Sequence, residues 1–316
     1  MVTTATCCIA GGGPAGAVLG HLLARAGVDV VVLEKHGDFL RDFRGDTIHP
    51  STAQLMDEPR RAGRHHRDRS RPGGGRGRSR LHGAVGRRAA GRLPRRTDRR
   101  AVVPRRPRAR DPGTAFGRVA RGHMLVMIDR GEYWQAGYLI RKDGLGALQA
   151  QGLDAFRHSI ATLAPFLADR VRQIASWDDV RLLRVQLNRL RRWWQPGLLC
   201  IGDAAHAMSP VGGVGINLAV QDAVAAARIL APPLREQRLG WWHLARVQLR
   251  RTVPTVLTQA AQQVAHDRVL SRIVSGQAGG RAPLALRILD RVPALRAIPA
   301  WLIGRGVLSE HAPPPR

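Results

Sequence analysis

Cysteine is scarce in this 316-residue chain: Cys7, Cys8 and Cys200 are all there are. Each falls in an apolar run of strand character, so the three build neither a disulfide framework nor a metal-ligand cluster, and a reducing cytoplasm is the expected compartment. No apolar run approaches the roughly 18 residues a membrane span needs, and the N-terminus lacks a basic region followed by a continuous apolar one. No membrane partner is therefore expected. Lysine is nearly absent, with only Lys35 and Lys142, and the other basic residues are arginine, as a very GC-rich gene encodes. Acidic residues are also few, 23 against 51 Lys and Arg, leaving a formal charge of +28. Such a balance ordinarily points to nucleic acid or an anionic surface. Here, however, residues 59–110 hold 20 arginines against 2 aspartates, 18 of those 28 charges, and the rest of the chain is only moderately basic.

What is present begins at the N-terminus. Residues 5–10 read as a short buried strand, followed by Gly11-Gly-Gly-Pro-Ala-Gly16. Gly11, Gly13 and Gly16 fit G-x-G-x-x-G: the first makes a tight turn, the second admits a pyrophosphate to the backbone, and the third lets helix pack on strand. Pro14 suits a first helical turn, and with Ala15 it completes the candidate pyrophosphate subsite. Ala15, Val18, Leu19, Leu22, Leu23 and Ala26 give the helix one apolar face, and Gly27 ends it. Val28–Leu33 reads as a second strand closed by Glu34, with Lys35 beside it. A carboxylate there can accept both hydroxyls of an adenosine ribose.

The second informative stretch runs from Gly197 to Asp222. An apolar run, Leu198–Ile201, ends at Gly202-Asp203, passes through a glycine-rich loop and enters a helix with apolar residues at 216, 219, 220, 223, 224 and 227. Asp203, at a strand end, can accept hydrogen bonds from a chain of sugar-like hydroxyls. Gly212, Gly213 and Gly215 let backbone N–H groups approach a flat or anionic ligand at the positive end of the helix. His206, among alanines, reads as structural rather than catalytic.

Together these stretches resemble the FAD-dependent aromatic hydroxylases, the p-hydroxybenzoate hydroxylase-like flavoprotein monooxygenases. The resemblance covers residues 1–58 and roughly 112–316. It implies an α/β FAD-binding Rossmann-like domain of the glutathione reductase type, a partial α+β substrate domain and a C-terminal helical region. Asp203 would bind the ribityl chain, Pro210 would lie beside the isoalloxazine, and Gly213, Val214, Gly215, Ile216 and Asn217 would face its pyrimidine edge. Arg44, in the loop 39–50, matches an arginine that contacts the flavin side of FAD. Ser51 or Thr52 would cap the helix after it. The implied activity is a monooxygenase using FAD, NADH or NADPH, and O2 on a small, aromatic substrate. A second ribityl-binding strand end favours FAD over a plain nicotinamide site. The related flavin halogenases carry a Trp-x-Trp-x-Ile-Pro pattern that this chain lacks.

The middle departs from the family. Residues 59–110 contain no aromatic residue and strings such as Arg71-Pro-Gly-Gly-Gly-Arg-Gly-Arg-Ser-Arg80. That composition buries too little apolar area to offset its ordering entropy, so the segment is expected to be disordered, or a stretch read out of frame. Nucleic-acid binding through it is the alternative, and the lack of stacking aromatics argues against that. The family's Asp-Gly motif also has no good equivalent; Asp143-Gly144 is a poor substitute. An inactive, truncated flavoprotein relative is the other alternative.

Beyond residue 111, Met124–Ile128 and Tyr133–Ile140 read as two hairpin strands, with Trp134 and Tyr138 on one face. Leu153, Phe156, Ile160, Leu163, Leu167 and Val171 make a helical stripe broken near Pro165, and Leu183, Val185 and Leu187 alternate like a strand. Pro232-Pro233 should stop the helix after Asp222. The expected layout is 1–58 with 180–240 as the FAD domain, 111–179 as substrate-domain remnant, and 241–316 as helices whose face covers that domain or pairs two copies in a homodimer.

Overall fold

The computed structural model describes residues 4–35, 52–53, 96–104, 116–120, 123–129, 133–140, 144–185, 187–209, 213–267 and 308–311. The chain divides into two compact units, residues 1–93, 187–262 and 292–316 in the first and 94–186 with 263–291 in the second.

The first unit is built on a strand-helix-strand start. β1 (Cys7–Ala10) pairs in parallel with β2 (Val30–Leu33), Cys7 opposite Val30, and α1 (Pro14–Arg25) joins them. Pro14 stands at the first helical position, Leu19, Leu22 and Leu23 are buried, and Gly27 at φ +79° turns the chain out of the helix. Two glycines make the close packing feasible. A Cβ on Gly16 would overlap the Gly11 carbonyl oxygen, and one on Gly20 would stand 2.7 Å from Val32 Cγ2.

Against α1 packs α4 (Val214–Arg235), whose small residues Ala223, Ala226 and Ala227 share a core with Leu19, Leu22, Leu23, Cys7 and Ile9. By length and composition α4 could cross a membrane, contrary to the expectation that no segment could, yet most of it is buried inside this unit. The expected stop at Pro232-Pro233 is also corrected, because the helix runs on to Arg235. The prolines sit in the last turn, where few later residues rely on helical geometry. Their carbonyls accept N–H bonds from Glu236 and Arg238 at 3.1 and 2.8 Å. α5 (Trp241–Ala265) follows, and its Leu244 and Val247 join the same core.

The expected strand Leu198–Ile201 is shorter than its apolar run. Only β10 (Leu198–Leu199) pairs, antiparallel with β9 (Trp194–Gln195), although Leu199 and Ile201 both pack on the core. β8 (Asn188–Arg189) pairs antiparallel with β11 (His206–Ala207).

In the second unit a five-stranded antiparallel sheet has the order β4 (Phe116–Ala120), β5 (His123–Asp129), β6 (Tyr133–Leu139), β3 (Arg96–Pro104), β7 (Val180–Val185). β5 and β6 pair as the sequence predicts, and Trp134 and Tyr138 are both core residues, with Tyr138 edge-on to Phe156 at 5.2 Å. α2 (Leu145–Ala150) and α3 (Leu153–Leu163) contribute Leu148, Phe156, Ile160 and Leu163, and a 3₁₀ turn takes over at Pro165. β3 corrects the expectation of disorder throughout 59–110. Its Ala101-Val102-Val103 run is short but β-favourable, and it is flanked by ladders on both sides. The rest of that segment lies outside the described residues. β7 groups with this unit and α5, through Gln262, with the first, so both limits differ from the expected layout.

Candidate cofactor site

In the first unit, Gly11 at φ +105° donates its N–H to the Leu33 carbonyl at 2.7 Å, folding the turn back over the end of β2. No heavy atom lies within 4 Å of where a Gly11 Cβ would stand. Gly12 N–H donates to Glu34 Oε2 at 2.8 Å, which holds that carboxylate against the turn, while Lys35 beside it is exposed. Gly13 is the N-cap of α1, no side chain caps the helix, and no acidic residue occupies its first turn. The half-buried Pro14 and Ala15 and the buried Gly16 follow. Uncapped amide groups at the positive end of a helix form a ready anion site. The surroundings of Gly11, Gly13 and Gly16 thus fit a pyrophosphate, and Glu34 fits the ribose beside it.

The other motif forms a 3₁₀ turn, Gly202–Ala204, in which Gly202 sits at φ +57° and Asp203 is exposed. The turn lies against the first: a Cβ on Gly202 would stand 3.3 Å from Ala15 Cβ and 3.1 Å from Ala219 Cβ. α4 then begins behind Gly213, an N-cap in the left-handed conformation at φ +61°, with no side-chain capping hydrogen bond among the described residues. Asn217 is buried and donates from Nδ2 to the Gly213 carbonyl at 2.9 Å, Val214 is buried, and Gly215 and Ile216 are half-buried. The structure therefore gathers Gly11, Gly13, Pro14, Ala15, Gly16, Glu34, Asp203 and the Gly213–Asn217 helix start in one unit. Arg44 and Pro210 lie outside the described residues. Thr52 is already helical and buried instead of preceding its helix as a cap.

Sequence reasoning missed what lies beneath the second turn. Asp222, fully buried on α4, accepts from Gly202 N–H at 3.0 Å and from His206 Nε2 at 2.6 Å through one oxygen, and from Arg251 Nε at 2.9 Å through the other. Burial pushes the Asp222 carboxyl up, but the hydrogen bond and charge of His206, followed by Arg251, outweigh it and hold the group below the usual carboxylate range. His206 is buried as well, its ring 5.0 Å from that of Trp193. The available signal was an acidic residue inside a helix whose neighbours three and four positions away, Leu218, Ala219, Ala225 and Ala226, are all apolar, a setting that demands a buried cationic partner.

Comparison with known proteins places the chain. A family model described as FAD binding domain matches residues 3–97 and 151–261. The chain is 38% identical over 165 residues to 6-methylpretetramide 4-monooxygenase of Streptomyces rimosus, spanning 52% of this chain and 39% of that protein. It is 28% identical over 119 residues, 37% of this chain and 23% of the relative, to an FAD-dependent monooxygenase of Claviceps paspali. The chain thus spans well under half the length of these relatives. Its fold is similar to the flavin-dependent brominase Bmp2, with a TM-score of 0.64, 17% identity and coverage of 96% of this chain and 94% of that one. It is also similar to Pseudomonas aeruginosa PqsL in complex with 2-aminobenzoylacetate, with a TM-score of 0.62, 17% identity and coverage of 87% and 98%. The chain belongs to the FAD binding domain family, the hydroxylase-like flavoproteins that its two glycine motifs resemble.

Proposed function

We propose that this chain binds FAD and serves as an NAD(P)H-dependent monooxygenase acting on a small aromatic molecule. The observation that carries the reading is the contact between the two motifs, with Gly202 packed against Ala15 at the start of α1. That proximity supports the reading, because one extended dinucleotide would need the start of α1 for its pyrophosphate and the Asp203 turn for its ribityl chain close together. Bound FAD would supply the redox chemistry, taking electrons from NADH or NADPH and with O2 delivering one oxygen atom to substrate and the other to water.

The residues of this chain would bind and orient. Gly11, Gly13 and the first amides of α1 hold the pyrophosphate, Glu34 the adenosine ribose, and Asp203 the ribityl hydroxyls. The α4 N-terminus behind Gly213 would face the flavin ring, where its positive end would favour negative charge. An aromatic substrate is in keeping with PqsL, whose bound 2-aminobenzoylacetate carries a benzene ring.

The test is the visible absorption spectrum of the purified chain after incubation with FAD and desalting. Two retained flavin bands, strongly reduced in Asp203→Ala, together with NAD(P)H-dependent oxygen consumption, support the reading. A colourless wild-type protein sinks it and leaves an inactive relative.

A further inference from the structure

Asp222 has been described so far only as a buried ion. Its oxygens do different work. Oδ2 takes both Gly202 N–H and His206 Nε2, the two ends of the five-residue turn that carries Asp203 at its crown. Ala205 N–H to the Gly202 carbonyl, at 2.9 Å, closes the turn from within. Oδ1 is held by Arg251, which also donates to Gln221 Oε1 at 3.2 Å. Asp222, His206 and Arg251 are 0–1% exposed, so this geometry is not averaged by solvent.

We infer that Asp222 is a positioning residue for the FAD site, clamping the Gly202–His206 turn to α4 so that Asp203 is fixed relative to the N-terminus of that helix. The inference rests on the FAD reading above and adds to it. Three donors from three elements converge on Asp222, and only a carboxylate can accept them all; an amide has one acceptor oxygen and would turn a donor toward another donor. Stability alone does not call for this arrangement, because apolar residues of similar volume commonly replace buried ion pairs without loss. The same helix carries Gly213–Asn217 at its start, so the clamp sets the spacing between the ribityl and ring subsites.

A double-mutant cycle tests it, using FAD titration followed by flavin fluorescence on the full chain. Asp222→Asn should raise the FAD dissociation constant about tenfold, since a charged acceptor is lost. In an Asp203→Ala background the same change should cost less than about twofold, because the turn then has no carboxylate left to aim. A structural role acting elsewhere would give losses that multiply. Wild-type affinity in Asp222→Asn, or multiplying losses in the double variant, overturns the inference while the FAD reading stands. If Asp222→Asn does not give a folded far-ultraviolet spectrum, His206→Gln probes the other end of the clamp. There a rise of about threefold that vanishes with Asp203→Ala supports the inference, and unchanged affinity overturns it. A wild-type chain that takes up no FAD fails the functional reading first, and the clamp falls with it.

Discussion

At the scale of single residues, Asp222 has a consequence for stability as a function of pH. Its folded carboxyl lies below the ordinary range, held there by His206 and Arg251 against the opposing effect of burial. The contribution of a group with a depressed folded value is fully present above its unfolded value, about 3.9, and is lost as pH falls through the folded one. Urea midpoints of wild type and Asp222→Asn should therefore differ at pH 7 and converge as the pH drops below about 4. A gap that stays constant across that range would mean the carboxylate is not what holds the turn. Residues also differ in how openly the sequence declares them. The need for glycine at position 16 is local: a side chain would overlap Gly11 five residues earlier, so the motif alone reveals it. Asp222 and Arg251 meet across two helices, and no spacing rule joins positions 29 residues apart. The histidine was read as structural, and the structure buries it against Asp222, a partner the sequence did not announce.

At the scale of elements, α1 and the α3 stripe were legible because apolar residues recur at helical spacing and become the buried face. The misreadings have two separate causes. Composition averaged over a long window hid β3, and two prolines read as a full stop hid the last turn of α4. A strand between two partners is specified largely by backbone pairing, so nine residues of mixed character suffice where both neighbours are in place. β3 stands between β6 and β7, with Val103 opposite Trp134 and Asp98 opposite Leu183. Removing residues 59–104 should consequently break the sheet and abolish the near-ultraviolet signal of the buried Trp134, whereas removing 59–90, which spares β3, should keep it. Equal spectra from the two deletions would show that the sheet closes without β3.

At the scale of the whole molecule, the family match and the charge divide the chain in complementary ways. The matched residues, 3–97 and 151–261, take in both glycine motifs, and the unmatched stretch between them holds β4, β5 and β6, most of the sheet in the second unit. The larger, matched part of the chain was thus legible through its glycine motifs, while the shorter stretch between the matched segments carries no such motif. The excess charge has its own address, since 18 of 28 net positive charges fall in residues 59–110. Counterion release makes any nucleic-acid binding by such a segment fall steeply with salt, at roughly one power of the salt concentration per phosphate contacted. Any nucleic acid that the purified chain carries at low ionic strength should accordingly be shed by about 0.5 M salt, without preference for sequence and without change in FAD content. Competition between oligonucleotide and FAD would instead put the basic segment over the cofactor site and make the charge part of function. Independence of the two would assign the charge to composition and leave the chemistry to the glycine turns, Asp203 and the helix behind them.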